Sequence, residues 1–126
     1  MLFHQVEYIQ YIKSIPIEEA RQAEMALYRR QPDEAERILL QANPPLIYRA
    51  IKLNITLFRW NRALELATKH RQHVETVVYY RKKDLNEFDK EENIKKFAEL
   101  HSTVSPSHPS IIYLIIHLFE ITNTAL

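Results

Sequence analysis

The 126-residue chain contains no glycine, and this absence restricts its fold more than any residue that is present. A domain of average composition contains about 7% glycine. Glycine supplies the positive φ angles of tight hairpin turns and allows the backbone to approach bound phosphates closely. We therefore expect a fold with few β-hairpins. The glycine-rich dinucleotide-binding and P-loop motifs are excluded outright.

Composition excludes further classes of site. The chain has no cysteine, which rules out disulfides, thiolate metal sites and cysteine nucleophiles and fits a reducing compartment. Its 17 basic and 16 acidic residues nearly balance, so charge gives no case for nucleic acid or an anionic membrane as a partner. The first twenty residues show no secretory signal, and we expect a cytoplasmic location.

Apolar residues recur at helical spacing through most of the chain. Prolines and acidic pairs mark the helix starts, as in Pro16 with Glu18 and Glu19, and Pro32 with Asp33 and Glu34. Connections of two to four residues suggest antiparallel helix pairs. Seven helices are predicted. The second begins in the SIPIEEA stretch and runs to about residue 30, and the others span residues 2–14, 32–42, 46–58, 60–70, about 73–88 and about 90–103.

Two stretches of the chain resemble each other: MALYRRQPDEAERILLQA and ITLFRWNRALELATKH. Each has an apolar pair, an arginine, a short turn and a helix that opens on alanine. The two alanines, Ala35 and Ala63, allow paired helices to approach closely, and their spacing is near the tetratricopeptide period of about 34. The predicted fold class is all-α, with antiparallel helix pairs in a tetratricopeptide-like right-handed solenoid fragment at residues 1–103.

Trp60 is the chain's single tryptophan and begins the apolar stripe of the fifth predicted helix. Ala63, Leu64 and Ala67 continue that stripe at positions i+3, i+4 and i+7. We interpret Trp60 as a wedge between helices rather than as a platform for a ligand. Asn54 lies within the apolar surface of the fourth helix, where we predict a hydrogen-bonded core amide that fixes helix register.

The end of the chain has a different character. Residues 104–110 are predicted to be a linker and residues 111–126 an apolar tail that contains IIYLIIHLF. This run is too short to cross a bilayer, which needs about 20 residues. It could be a last helix against the solenoid, an interfacial segment or a foreign end on a truncated product. Since solenoids need polar caps, we also expect self-association.

No constellation of side chains points to catalysis or to a cofactor. His70 and His73 have a spacing that can bind a metal ion, but no third ligand accompanies them. Basic residues at that position also suit a helix C-terminus. The acidic pairs, including Glu91 and Glu92, lie at predicted helix starts and are explained by capping. We therefore expect neither an enzyme nor a metal protein.

The sixth predicted helix carries the candidate contact surface, at Tyr79, Tyr80 and Arg81. Arg81 occupies a position where the helix's stripe calls for an apolar residue, so it either snorkels or marks a protein interface, where arginine is enriched. Together with Lys82 and Lys83 it could instead contact RNA phosphates. Nearby acidic residues favour a solvated helix face.

Five blocks, in order along the chain, carry a resemblance to a known family. They are VEYIQYIKSIPIEEARQAEMAL, EAERILLQA, LIYRAI, NRALELATKH and HVETVVYYRKKDLNEF. From Val6 to about Leu100, the chain resembles the C-terminal helical region of the intraflagellar transport 80 kDa family, whose members are subunits of ciliary transport complex B. The family's propellers are missing here, which implies a fragment, a short isoform or a partial gene product.

The resemblance implies a non-catalytic scaffold in intraflagellar transport that acts in cilium assembly and maintenance. It implies other complex B subunits as partners, and a location in the cytoplasm, the cilium and the ciliary base. The alternative is a helical-repeat protein that binds RNA or serves as a general adaptor.

Overall fold

The computed structural model describes residues 2–103 and, within them, the side chains of residues 4–101. Across this range all regular secondary structure is helical, which confirms the predicted all-α class. The helices are α1 (Leu2–Ser14), α2 (Glu18–Tyr28), α3 (Pro32–Gln41), α4 (Ile47–Thr56), α5 (Trp60–His70), α6 (Val74–Glu87) and α7 (Lys95–Thr103). The predicted linker and apolar tail lie outside the described residues, so those boundaries and the expected self-association stay predictions.

The helices are arranged as stacked pairs. The most extensive contacts join α2 to α3 and α4 to α5, across three-residue connections at 29–31 and 57–59. Because so short a connection reverses the chain, the helices of each pair run antiparallel. Contacts of α3 with α4, of α5 with α6, and of α4 with α6 stack one pair on the next. This is the nearest-neighbour packing of a helical-repeat solenoid.

The buried core runs continuously through the stacked pairs, from α2 to α7. Ala35 and Ala63 are both 0% exposed, which allows the close helix approach predicted from the sequence. Larger side chains fill the space between pairs. The core cluster comprises Ala23, Ala26, Ala35, Leu39, Ile47, Ala50, Ile51, Leu53, Trp60, Ala63, Leu64, Leu66, Ala67, Val77, Val78 and Phe97.

Ion pairs also join one helix pair to the next. The Arg59 guanidinium lies 2.8 Å from an Asp33 carboxylate oxygen, and Arg62 Nε donates to Glu36 Oε1 at 2.7 Å. In both cases the partners are 26 residues apart. Glu36 is almost fully buried, so its pairing with Arg62 satisfies a carboxylate that would otherwise be costly to bury.

The same left-handed turn closes successive helix pairs. Arg30 has φ 60° and Phe58 has φ 59°. These two residues are as far apart in the sequence as Ala35 and Ala63. After Arg30, the Gln31 N–H donates to the Ala26 carbonyl at 2.9 Å, a bond typical of a Schellman motif. Equivalent bonds follow Phe58 and Asp89. The similarity between successive helix pairs is therefore clearer in the backbone of their turns than in their side chains.

These turns require positive φ, yet no glycine is present to supply it. In the described part of the chain the positions are Arg30, Phe58, Arg71, His73 and Asp89. The turns end helices earlier than the apolar pattern predicts. α2 stops at Tyr28 rather than near 30, and α4 stops at Thr56 rather than 58, which leaves Phe58 64% exposed.

Acidic residues lie in the first turn of α2 and of α3, as predicted. They are Glu18 and Glu19 in α2, and Asp33 and Glu34 in α3, where Pro32 occupies the start of the helix. The prediction for Glu91 and Glu92 is wrong, because α7 begins at Lys95 rather than near 90. Glu92 instead lies in the connection before α7 and binds side chains of other elements.

Replacement of Arg30 by glycine tests the cost of a left-handed turn without glycine. Arg30 is exposed, so the substitution removes little packing. We expect Arg30→Gly to raise the free energy of unfolding by about 0.5–1 kcal/mol, because glycine adopts positive φ without steric penalty. Arg29, with φ −82°, is the matched control, and Arg29→Gly should lower it. Urea unfolding followed by circular dichroism compares the two variants, and a loss in both would contradict this account.

Candidate interaction groove and the Arg81 cluster

A groove lies between α2 and α4, two helices that make few direct contacts with each other, and α1 flanks it. Its floor is apolar and is formed by Ala20, Ala23, Leu27, Leu39 and Leu53. The volume of the groove is about 260 Å³. That is below the usual range of about 300–1,000 Å³ for sites that enclose a drug-sized molecule. The groove is therefore suited to receive a few apolar side chains of a larger partner.

The groove between α2 and α4 will be called the interaction groove. Two cations line its α4 side. Arg49 and Lys52 are three residues apart on α4 and thus lie one helical turn apart on one face. Neither forms an ion pair with another described residue. The groove's acidic lining residue, Glu24, accepts a hydrogen bond from the Tyr8 hydroxyl at 2.8 Å.

Tyrosines form the opposite side of the interaction groove. The Tyr8 ring lies 6.2 Å from that of Tyr11 and 6.0 Å from that of Tyr28, measured between ring centroids. Burial, together with the hydrogen bond to Glu24, raises the pKa of the Tyr8 hydroxyl well above its usual range, so it stays a proton donor. Tyr11 is 43% exposed and Leu57 is 40% exposed, so both leave apolar surface at the mouth of the groove.

A second group of side chains lies at the other end of the fold, where α5, α6 and α7 meet. The Arg81 guanidinium lies 5.6 Å from the centroid of the Trp60 ring and 5.8 Å from that of Phe97. The two rings themselves meet edge to face, 6.4 Å apart. Arginine is attracted to such ring faces most strongly where water is excluded. Trp60, Arg81, Glu92, Phe97 and His101 will be called the Arg81 cluster.

Glu92 holds the charged part of the Arg81 cluster together. It accepts two bonds from Arg81, from Nε at 3.1 Å and from Nη2 at 3.0 Å, which is the bidentate geometry typical of arginine and carboxylate. It also accepts the Ile94 N–H at 2.9 Å and lies 3.3 Å from His101 Nε2. Arg81 Nη2 also donates to Asn93 Oδ1 at 3.2 Å, and Asp84 is a more distant ionic partner of Arg81, at 3.8 Å. Glu92 therefore links α6 to the start and the body of α7.

The titration of Glu92 makes stability depend on pH. Burial raises the pKa of its carboxyl, but the bonds from Arg81, the Ile94 N–H and His101 outweigh burial and lower it below its ordinary value of 4.5. A group with a lowered pKa in the folded state stabilises the fold above its unfolded pKa. That stabilisation is lost as pH falls through the folded pKa.

We therefore expect wild-type stability to fall more steeply than that of Glu92→Gln between about pH 5 and about pH 3. Glutamine keeps the shape of the side chain but has no carboxyl to titrate. Urea unfolding at several pH values gives the free energy of unfolding of each protein. Parallel pH curves for the two proteins would contradict the assigned role of Glu92.

The structure separates the three residues predicted to form a contact surface. Arg81 is 8% exposed and turns into the Arg81 cluster, so it is not the accessible cation that the sequence suggested. The aromatic rings that flank it and the carboxylate of Glu92 explain why an arginine fits among apolar positions. Tyr79 and Tyr80 are half-buried and meet edge to face at 5.5 Å. Tyr79 lines a separate surface depression with Lys82.

Trp60 and Asn54 both lie in the core. Trp60 is 7% exposed between α5, α6 and α7, a position that suits a wedge between helices. Asn54 is fully buried, and its Nδ2 donates to the Ala50 carbonyl at 2.9 Å. Its Oδ1 is buried without a hydrogen-bond partner among the described residues. The amide predicted to be fully bonded is therefore satisfied on its donor side only.

The two candidate metal-binding histidines border another surface depression, beside Pro44 and Pro45. His73 directly precedes α6, and its ring lies 4.9 Å from that of Tyr48. Burial lowers the pKa of this imidazole. Between residues 2 and 103, no three His, Asp or Glu side chains come together in a group that could hold a metal ion. Nor does that range contain a helix with the length and hydrophobicity of a membrane crossing.

Sequence reasoning missed the interaction groove. Its cations were present as a signal, since Arg49 and Lys52 are the charged residues on a helix that is otherwise almost wholly apolar. The role of the tyrosines on α1 could not be found in this way, because it depends on how α1 packs beside α2. Glu92 was missed because it was assigned to the start of a helix.

The stacked antiparallel pairs and the open groove define the chain as a helical-repeat protein of the tetratricopeptide class. More particularly, the profile of the IFT80/172/WDR35/WDR19 TPR domain matches residues 2–116, and the chain belongs to that family. This match extends beyond the described residues into the stretch predicted to be a linker and tail.

Two relatives show how much of a longer protein this chain covers. It is 45% identical over 94 residues to the intraflagellar transport protein 80 homolog of Mus musculus and, equally, to that of Rattus norvegicus. The matched segment is 75% of this chain and 12% of each relative, so the chain spans about an eighth of the length of those proteins. No solved structure matches the chain significantly.

Proposed function

We propose that the chain is a non-catalytic scaffold and protein-interaction module of an intraflagellar transport complex B subunit, acting in cilium assembly and maintenance. The family membership and the identity to intraflagellar transport protein 80 homologs support the assignment to this transport system. The interaction groove is the single structural observation that carries the interaction role. Its apolar floor and open mouth suit the side chains of a partner helix.

The RNA-binding alternative has less support from the arrangement of charge. Its strongest candidate cluster was Arg81 with Lys82 and Lys83, and Arg81 is committed to Glu92 inside the fold. The remaining pair of exposed lysines shares its helix with Asp84 and Glu87, so the surface potential there is mixed. We expect no shift of a generic single-stranded RNA by the purified chain, even at low salt.

Affinity capture from ciliated cells tests the proposed function. The full 126-residue chain carries an affinity tag, and bound proteins are identified by mass spectrometry. We expect enrichment of other complex B subunits and, in microscopy, location in the cytoplasm, the cilium and the ciliary base. Capture of chaperones alone would contradict the proposal. A second capture with Trp60→Ala, which removes a core side chain, shows whether any enrichment depends on the folded domain.

A further inference from the structure

We propose that the interaction groove binds an acidic amphipathic helix of a partner protein. The proposal rests on the proposed function and deepens it by naming the chemistry of the partner. The groove has an apolar floor between α2 and α4, two cations on one side and a cluster of tyrosines on the other. Each of these three features specifies one property of the occupant.

The floor of the groove specifies an apolar stripe. Leu27 and Leu53 face the cavity from α2 and α4, and Ala20 and Ala23 keep the space between them open. A cavity of about 260 Å³ accepts a few side chains but does not enclose a whole cofactor. A helix presents such side chains in a row, at positions i, i+3, i+4 and i+7. Its apolar stripe can lie along the groove while the rest of its surface stays in water.

The cations specify the charge of the partner and its spacing. Arg49 and Lys52 are one helical turn apart and have no ion pair within the described chain. Carboxylates one turn apart on a docked helix would match them, because residues at i and i+3 or i+4 share a helix face. Glu24, the acidic residue of the lining, is engaged by the Tyr8 hydroxyl. The α4 side of the groove is thus complementary to negative charge.

The tyrosines specify how the helix is oriented. Tyr8 and Tyr11 form the α1 side of the groove, away from the cations of α4, and Tyr28 packs against Tyr8. Tyrosine is among the residues enriched at protein interfaces. If the partner helix carries carboxylates along only one edge of its apolar stripe, only one orientation in the groove brings them beside α4. The apolar edge then lies against the tyrosines. The groove therefore distinguishes the two edges of its partner.

Direct binding to designed peptides tests the proposal. The probe is a fluorescent peptide of about 18 residues, long enough to form a helix, with leucines in an apolar stripe and glutamates along one edge. Its matched counterpart has lysine in place of every glutamate. Fluorescence anisotropy with the full 126-residue chain should show that the acidic peptide binds at least about tenfold more tightly than the lysine peptide. Equal binding of the two peptides, or no binding of the acidic one, would overturn the proposal.

Two double variants locate the binding surface. Arg49→Glu with Lys52→Glu should weaken binding of the acidic peptide by about tenfold or more, and should improve binding of the lysine peptide. Lys82→Glu with Lys83→Glu makes the same change in net charge on exposed residues of α6 and should change affinity by less than about twofold. Equal losses in the two variants would show attraction by overall charge and overturn the proposal. Arg49→Gln with Lys52→Gln is the milder variant if reversal of charge perturbs folding.

Photocrosslinking places the peptide independently of charge. A benzophenone side chain at Leu57, at the mouth of the groove, should crosslink to the acidic peptide. The same group at Phe88, which is 57% exposed beyond the end of α6, should not. The reverse pattern would overturn the proposal. The proposal would also be overturned if single-stranded RNA displaced the peptide and this displacement required Arg49 and Lys52.

The capture experiment separates this proposal from the proposed function. If the charge-reversed groove variant still captures complex B subunits like wild type, the groove is not their docking site although the proposed function stands. If wild type captures none of them but binds the acidic peptide in the groove, the groove proposal stands and the proposed function fails.

Discussion

Trp60→Ala is expected to lower the free energy of unfolding by about 3–5 kcal/mol, the largest effect of any single substitution considered. Trp60 is 7% exposed and fills the space where α5, α6 and α7 meet. Its removal leaves a cavity beside Phe97 and also removes one of the two aromatic rings that contact the Arg81 guanidinium. Chemical denaturation followed by far-ultraviolet circular dichroism measures the loss.

The neighbouring aromatic residue provides a matched control. Phe58 lies two residues before Trp60, its ring is 6.4 Å from that of Trp60, and it is 64% exposed. Phe58→Ala should therefore cost under about 1 kcal/mol. A similar loss of stability in both variants would mean that Trp60 does not have the special structural role assigned to it.

Glu92→Ala is expected to lower the free energy of unfolding by about 2–4 kcal/mol. The substitution leaves the Arg81 guanidinium buried without its bidentate partner, and only Asp84, at 3.8 Å, remains as an ionic partner. It also removes the acceptor of the Ile94 N–H, next to the first turn of α7. We expect α7 to detach first, which hydrogen exchange of residues 95–101 would detect as a loss of protection.

Two further variants show whether the effect comes from the buried pair. Glu91→Ala changes an exposed carboxylate beside Glu92 and should change stability by less than about 0.5 kcal/mol. Arg81→Met combined with Glu92→Leu removes both charges, so it should be more stable than Glu92→Ala alone. If the double variant were the less stable of the two, the loss of Arg81's bidentate partner would not be the cause of the lower stability.

The sequence predicted the helices well because their apolar residues repeat at helical spacing, and prolines mark several starts. It predicted their ends less well. The apolar run Leu57–Phe58 continues the pattern of α4, but Phe58 adopts φ 59° and terminates the helix. No glycine marks that turn. Trp60 and Ala63 of the next helix are buried directly after the turn, and a local pattern does not contain these contacts between helices.

The sites were harder to predict because they depend on contacts between helices. Arg81 looked like a surface cation, since the pattern gives no sign that Trp60, Phe97 and Glu92 converge on it. Trp60, whose spacing to Ala63 continues an apolar stripe, is 7% exposed. The interaction groove arises where α2 and α4 fail to meet closely, and hydrophobic periodicity shows which face of a helix is buried but not where neighbouring helices leave a gap.

The central claim, that this domain binds a transport-complex subunit directly, is tested most directly with purified components. The full chain is immobilised on a biosensor, and purified intraflagellar transport complex B is passed over wild type, the Arg49→Glu, Lys52→Glu variant and the Lys82→Glu, Lys83→Glu variant. We predict saturable binding to wild type and to the α6 variant, with a clear loss for the groove variant. Absence of binding to folded wild-type chain at concentrations up to about 10 μM would contradict the claim.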